Sequence, residues 1–241
     1  MNKMTKLAAA IALTTGALTA PTIAMADVSA TAGFVTDYYF RGVNLGDAGA
    51  YGSIDYSAGG FYAGVWAIDD SATSAELNGT DVDTSNGNDG VEYDIYFGYG
   101  FEFENGLSLD LGYAAYEYTY TTESESEIGL TIGFGGFAFN YTDGDDDNSG
   151  ASTDYDYDVM SISWSGEVFG ATYGRYEADE TTSAANDDSE YDWIEVSASG
   201  EVVGLDVTLV VGTTHNVEAG GVSDASDDGY IFLDISKSFD L

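Results

Sequence analysis

The sequence of 241 residues contains no cysteine, a single proline, one histidine and only five basic residues. Without cysteine, the chain cannot form disulfides, thiolate metal sites or iron–sulfur clusters. A single histidine excludes a polyhistidine metal centre. The five bases stand against 43 acidic residues, which gives a formal net charge of −38. The chain therefore offers no basic surface that could bind a phosphate backbone, and nucleic acid is excluded as a partner.

Apolar and aromatic residues are plentiful, at 44% and 14% of the chain, and 31 residues are glycine. An acidic chain with few apolar residues would be disordered, but this composition is too apolar for that. Abundant tyrosine, phenylalanine and glycine are typical of an all-β protein that faces apolar surroundings. No stretch after the N-terminal segment approaches 18 apolar residues, so no transmembrane helix is predicted.

The N-terminal residues 1–26 have the pattern of a signal peptide. Lys3 and Lys6 precede an apolar stretch, and Ala24-Met25-Ala26 forms an A-x-A cleavage site. We therefore expect export in a Gram-negative cell, with residues 27–241 forming a single outer-membrane domain.

Apolar and polar side chains alternate with a period of two throughout the rest of the chain. In residues 91–101, Val91 and Ile95 fall on one face, whereas Glu92 and Asp94 fall on the other. Strict alternation predicts strands with one apolar and one polar face. Twelve such segments occur, at 29–42, 49–57, 60–68, 91–101, 107–120, 127–134, 136–142, 155–164, 167–176, 191–199, 204–214 and 229–241.

The connections between these segments alternate between tight turns and longer acidic loops. Ala58-Gly59, Gly135 and Ser165-Gly166 are tight, whereas 69–90 and 177–190 are long. This alternation puts all long loops at one end of a meander, as in outer-membrane barrels. Closure also removes sheet edges. We predict an all-β fold, a closed antiparallel up-and-down transmembrane β-barrel of about 12 strands.

Aromatic residues cluster at the predicted strand ends and suggest two lipid-facing girdles. The outer-end girdle would contain Tyr38, Tyr39, Phe40, Tyr93, Tyr116, Tyr118, Tyr120, Tyr155, Tyr157, Tyr191, Trp193 and Tyr230. The periplasmic-end girdle would contain Tyr56, Phe61, Phe101, Phe103, Phe134, Phe137, Trp164 and Phe239.

Several short segments, among them 91–98, 110–113 and the three motifs given next, resemble the TorF family of porins. The three motifs are Asp37-Tyr38-x-Phe40-Arg41-Gly42, Gly60-Phe-Tyr-Ala-Gly-Val-Trp66 and Ser236-Lys-Ser-Phe239. The family often continues its first motif with Ser-Gln-Thr, whereas this chain has Asn44-Leu45-Gly46. The resemblance implies an outer-membrane porin and specifies no solute.

The polar faces of the predicted strands identify pore-lining candidates. They are Asp37, Arg41, Asp55, Glu92, Asp94, Asp110, Asp206 and Asp234. On the first strand, the alternation also places Tyr38 and Phe40 on the lipid face. Rings of Asp and Glu favour cations, and we expect Arg41 to pair with lumen carboxylates. Arg175 fits either face.

We therefore predict a porin for passive diffusion of ions and small solutes, with a preference for cations, in contact with lipid and lipopolysaccharide. A non-conducting structural or adhesion barrel is the first alternative. An outer-membrane hydrolase using the sole histidine, His215, is the second, but the sequence has no G-x-S-x-G nucleophile motif. We expect neither an enzyme nor a cofactor.

The acidic loops suggest loosely bound divalent cations that bridge to lipopolysaccharide, or else a solvated surface. Asp143, Asp145 and Asp147 have the 1-3-5 spacing of a calcium loop. Position 6 is Asn148 rather than glycine and position 12 is Asp154 rather than glutamate, so no dedicated calcium site is predicted.

Overall fold

A computed structural model describes residues 27–71, 76–77, 80–81, 89–120, 123–148, 155–180, 189–218 and 228–241. The predicted signal peptide and the centres of the longest predicted loops lie outside the described residues. The described chain contains no helix long and apolar enough to cross a membrane.

Twelve antiparallel strands form one closed barrel, as the alternation predicted. They are β1 (Asp27–Val35), β4 (Gly49–Ala58), β5 (Phe61–Ser71), β8 (Asp89–Glu102), β9 (Leu107–Tyr118), β10 (Glu123–Phe134), β11 (Phe137–Asn148), β12 (Tyr155–Ser165), β13 (Phe169–Glu180), β14 (Ser189–Val202), β15 (Leu205–Glu218) and β16 (Asp228–Asp240). The described residues also include two short hairpins, β2 (Tyr38–Phe40) with β3 (Val43–Gly46) and β6 (Glu76–Leu77) with β7 (Thr80–Asp81).

Each wall strand pairs with the strand before and after it, and β1 closes the barrel by pairing with both β4 and β16. At the closure, the amide of Leu241 donates to the carbonyl of Val28 at 2.9 Å. Every second connection is tight, as between Ala58 and Phe61 or between Phe134 and Phe137. The start of β1 and the end of β16 lie at this tight-turn end. The longer connections leave from the opposite end of the barrel, which we call the long-loop end.

The exterior of the barrel is apolar because the apolar face of each strand points away from the barrel axis. Ile54, Phe134 and Ile231 are each 61% exposed. The alternating partners on the same strands, such as Asp55 and Asp234, face the interior. Near the long-loop end the exterior turns polar, with Asp158 and Arg175 following apolar positions on β12 and β13.

An apolar band around a closed barrel with a polar interior is the transmembrane β-barrel arrangement. In water, this much contiguous apolar surface would aggregate, whereas hydrocarbon solvates it. Closure also pairs the wall strands on both sides, as a bilayer requires of the backbone. The protein is an outer-membrane β-barrel.

The predicted girdle at the tight-turn end is confirmed. Its eight aromatic side chains are all exposed on the exterior, with values from 40% for Phe61 to 61% for Phe134. The predicted girdle at the other end is wrong for most of its members. The members whose side chains lie inside the barrel, and not on its lipid-facing exterior, are Tyr38, Tyr39, Phe40, Tyr116, Tyr118, Tyr157, Tyr191, Trp193 and Tyr230. Tyr93 alternates with inward Glu92 and lies outside, and the side chain of Tyr155 is outside the described residues.

The first strand is also shorter than the predicted 29–42. β1 ends at Val35, and the chain then turns inward and forms the hairpin of β2 and β3. Tyr38 and Phe40, which the alternation assigned to lipid, therefore lie inside the barrel. The alternation was misleading because it continues across the turn without a break.

Candidate functional site: the barrel interior and its hairpin

The hairpin Tyr38–Gly46, formed by β2 and β3, crosses the barrel interior near the long-loop end. On one side, the Tyr38 hydroxyl donates to Glu92 Oε1 of β8 at 2.8 Å. On the other, Tyr39 stacks on Tyr230 of β16 with ring centroids 4.2 Å apart. In the strand order of the barrel, β8 and β16 lie well apart, so these contacts fix the hairpin across the lumen.

Arg41 lies at the tip of the hairpin and forms a two-pronged ion pair with Glu127 of β10. Its Nη1 and Nη2 donate to Oε1 at 2.5 Å and Oε2 at 2.9 Å, and both side chains are 6% exposed. Tyr116 and Tyr157 donate to the same carboxylate at 3.0 and 2.8 Å. A paired fork of this kind is among the stronger polar contacts in proteins, because both partners are charged and the geometry is fixed.

Gly42 allows the hairpin tip to fit against the far wall. Its φ of +83° is a conformation that side chains disfavour. A Cβ atom at this position would lie 2.6 Å from the Cβ of Trp193 on β14. The Gly42 carbonyl accepts a hydrogen bond from Thr214 Oγ1 of β15 at 2.6 Å. Arg41, at φ +50°, directly precedes Gly42. The Arg41–Glu127 ion pair and the Thr214–Gly42 hydrogen bond therefore hold opposite sides of one tight turn.

Five inward tyrosines link strands of the barrel wall. Each tyrosine side chain crosses one neighbouring strand, and its hydroxyl donates a hydrogen bond to a carboxylate on the strand beyond. Tyr230 of β16, for example, passes over β15 and donates to Glu195 Oε1 of β14 at 2.8 Å. The other four pairs are Tyr51 with Asp234, Tyr62 with Asp110, Tyr96 with Asp55 and Tyr157 with Glu127. We call these five contacts the tyrosine braces.

An inward glycine lies beneath each of these tyrosine rings. A Cβ at Gly212 would lie 2.2 Å from the Tyr230 ring, and one at Gly144 would lie 2.2 Å from the Tyr157 ring. In each brace the glycine and the tyrosine are direct partners across two strands. The abundance of glycine thus has a specific cause at these positions, since the ring can lie flat on the wall only where no side chain intervenes.

Asp94 of β8 is not one of the braced carboxylates. Its side chain faces the interior and is 3% exposed, yet its Oδ1 has no hydrogen-bond partner. Tyr116 of β9 lies directly across from it, and Glu125 of β10 lies directly across from Tyr116. A buried carboxylate oxygen without a partner is costly, because it has lost water and gained nothing in return.

The structure places the predicted site residues as follows. Arg41, Glu92, Asp94, Asp110 and Asp234 are buried inside the barrel, whereas Asp55 and Asp206 are half-buried on inward-facing positions of β4 and β15. The prediction that Asp37 lies on a wall strand is wrong. Asp37 lies in the bend between β1 and β2.

Arg175, which the sequence left open, lies on the exterior. It bridges Glu177 at 2.6 Å and Glu190 at 2.7 Å, and its side chain is 39% exposed. It therefore adds no charge to the interior.

Four further inward carboxylates are not among the predicted candidates: Glu125, Glu127, Asp146 and Glu195. The predicted segment 127–134 leaves Glu125 in a loop, because the apolar alternation begins only at Ile128. Glu127 could have been found, since it has the parity opposite to Ile128. Glu195 lies in a segment where Ser and Ala weaken the alternation.

The acidic calcium-like spacing lies on a strand. Asp143, Asp145 and Asp147 are on β11, with exposed side chains on alternate positions, so they do not form a calcium loop; Asp154 is outside the described residues. Among described residues, no group of three or more Asp, Glu or His is arranged to hold a metal ion. His215 lies on β15 opposite Asp192 of β14.

One family model matches part of this chain, and several solved structures are similar to it. The family model Gcw_chp, described as a bacterial protein of unknown function, matches residues 20–129. No curated protein matches the sequence.

Among solved structures, the chain is similar to an outer-membrane channel from Pseudomonas putida F1, with 10% identity, a TM-score of 0.49 and coverage of 92% of this chain and 97% of that one. It is also similar to Acinetobacter baumannii OccAB4, with 8% identity, a TM-score of 0.45 and coverage of 89% and 62%. For Pseudomonas aeruginosa OprD the identity is 9%, the TM-score is 0.45, and the match covers 89% of this chain and 67% of that one. The chain thus spans about three fifths of the length of OccAB4 and about two thirds of OprD.

Proposed function

We propose that this protein is an outer-membrane channel that passes ions and small solutes by passive diffusion and prefers cations. One observation carries the proposal: within the described residues, the interior holds many carboxylates and Arg41 as its only basic side chain. The inward carboxylates include Asp55, Glu92, Asp94, Asp110, Glu125, Glu127, Asp146, Glu195, Asp206 and Asp234.

The remaining interior surface also suits a hydrated passage. Thr131, Asn140, Ser161 and Thr208 face inward on four strands, so polar side chains continue between the carboxylates. A barrel built only to be rigid could fill its interior with apolar side chains, as small barrels commonly do. The resemblance to the TorF porins and the name of the Pseudomonas putida channel support the same proposal.

The hairpin is proposed to form the constriction of this channel. It lies across the lumen and is tied to opposite walls by the Arg41–Glu127 pair and the Thr214–Gly42 contact. Any solute must therefore pass between the hairpin and the wall. This arrangement narrows a twelve-stranded barrel, whose size lies between filled eight-stranded barrels and the open porins of 16 to 18 strands.

Planar-bilayer recording of the purified protein tests the proposal. In a KCl gradient near 0.1 M, the reversal potential should show cation preference, because the Debye length of about 10 Å is comparable to a narrow pore. Near 1 M this length is about 3 Å and the preference should fade. Anion preference would contradict the proposed selectivity.

The burial of the hairpin favours a second candidate, a closed structural barrel, since Tyr38 and Arg41 are only 7% and 5% exposed. A variant in which residues 37–47 are replaced by a short Gly/Ser turn separates the two. Conductance by both proteins, larger in the variant, supports a constricted channel. A silent parent with a conducting variant supports the closed barrel instead.

A further inference from the structure

Four inward carboxylates lie together against the hairpin on strands β8 and β10. They are Glu92, Asp94, Glu125 and Glu127, which we call the acidic patch. Strand pairing places Asp94, Tyr116 and Glu125 in one row across three strands. The hairpin covers the patch through Tyr38 on Glu92 and Arg41 on Glu127.

The patch carries more negative charge than the hairpin supplies positive charge. Arg41 is the only basic side chain of the described interior, and its fork is used on Glu127. Neutral tyrosine hydroxyls donate to Glu92 and Glu125. Asp94 is 97% buried, since its exposure is 3%, and its Oδ1 accepts no hydrogen bond. A further cation would give Asp94 the partner that its Oδ1 lacks.

We infer that the acidic patch binds a solute bearing guanidinium or ammonium groups, in competition with Arg41. Arg41 shows how such a group fits: the Glu127 carboxylate accepts from two nitrogens, and the Phe40 ring lies 4.5 Å from the guanidinium carbon. Carboxylates combined with aromatic faces are a favourable environment for organic cations. This inference rests on the proposed channel function and specifies the class of solute that the channel would take.

The spacing of the patch favours an extended organic cation over a single metal ion. Asp94 and Glu125 are on strands separated by β9, so their backbones lie about 10 Å apart. A calcium ion needs its oxygen ligands within about 2.3–2.6 Å. A flexible chain with a cationic group at each end can instead reach carboxylates on both strands at once.

Binding of such a solute is coupled to the hairpin. A guanidinium that takes Glu127 releases Arg41, which is the hairpin's ionic contact with β10. The Tyr39 stacking and the Thr214 contact on the opposite wall are not affected by this exchange. The solute therefore loosens the side of the hairpin next to the patch while the other side stays anchored.

The test uses agmatine, which carries one guanidinium and one amine, and the purified protein in planar bilayers with KCl. Agmatine should interrupt the potassium current at a lower concentration than glucose or glutamate. Asp94→Asn should raise the half-blocking concentration about tenfold or more, since it removes a buried charge partner. Arg41→Gln should lower it several-fold, because the internal competitor is gone. The matched exterior controls, Asp192→Asn and Arg175→Gln, should not change it.

The outcomes separate this inference from the channel function. If the parent conducts but agmatine blocks it no better than it blocks Asp94→Asn, the inference is overturned. The channel proposal then still stands. Arg41→Gln with weaker blockade overturns the competition. If the parent does not conduct, calorimetry of agmatine with the detergent-solubilised barrel decides: binding that Asp94→Asn weakens supports the site, and no binding overturns it.

Discussion

The two arginines of the barrel wall and hairpin form ion pairs of similar length in opposite surroundings. Arg41 meets Glu127 at 2.5 Å inside the barrel, where both side chains are 6% exposed. Arg175 meets Glu177 at 2.6 Å and Glu190 at 2.7 Å outside it, where the three side chains are 39%, 45% and 38% exposed. Distance therefore does not distinguish the two arginines.

Surroundings decide what each pair contributes. A buried ion pair is hard to break, because removal of one partner leaves an uncompensated charge away from water. An exposed pair is screened by solvent and salt, and it adds little to stability. We therefore assign Arg41 a role in holding the hairpin, whereas Arg175 belongs to a charged exterior rim.

Arg41→Ala should give the largest effect on stability. It leaves Glu127 buried with tyrosine donors alone, which should reduce the free energy of unfolding by about 3–5 kcal/mol. Urea unfolding of the protein in lipid vesicles measures this. Arg175→Ala should leave the unfolding midpoint unchanged, and equal losses in both variants would show that burial does not separate the two pairs.

A lysine placed on the two faces of β8 extends the comparison to the wall itself. Ile95 is on the exterior and 48% exposed, so Ile95→Lys should cost about 2–4 kcal/mol if it lies near the bilayer midplane. Asp94→Lys, one residue away, should fold normally, because Glu92 and Glu125 can accept the new charge. Heat modifiability on gels reports folding of both. Normal folding of Ile95→Lys would contradict the assignment of faces on β8.

The tyrosine braces offer the same contrast without a basic residue. Tyr230→Phe removes the buried hydrogen bond to Glu195, and we expect a loss of about 1.5–3 kcal/mol. Tyr173 makes the corresponding exterior contact with Asp192 at 3.1 Å, so Tyr173→Phe is the control and should unfold like the parent. Urea midpoints for the two variants give the comparison directly, and matching midpoints would rule out a stabilising role for this brace.

Local alternation was sufficient for the barrel but not for its contents. The apolar positions of β8 and β10 could be read from the sequence, because lipid and lumen impose opposite preferences on successive residues. The hairpin could not, since Tyr38, Tyr39 and Phe40 continue the aromatic pattern of a strand end. Arg41 was expected inside, yet it reaches the interior through the tip of a hairpin rather than from a strand.

The braces were hidden for a different reason. Tyr230, Gly212 and Glu195 are adjacent only because three strands lie side by side, and no spacing along the chain links them. Glycines on the polar face gave the one available signal, since a lumen lined by carboxylates has no other need for residues without side chains. Their partners follow only once the strand register is known.

The smallest effect should come from changing the geometry of the charge and not the charge itself. Arg41→Lys keeps one positive charge, but an ammonium cannot make the two-pronged contact that Nη1 and Nη2 make with Glu127. Loss of one of the two bonds should cost about 1 kcal/mol in urea unfolding. Arg175→Lys should cost nothing measurable, because each exterior carboxylate already takes only one nitrogen. A full loss in Arg41→Lys, equal to that of Arg41→Ala, would mean that lysine cannot reach Glu127 from the hairpin tip. Full retention would mean that charge alone, without the fork, holds the hairpin.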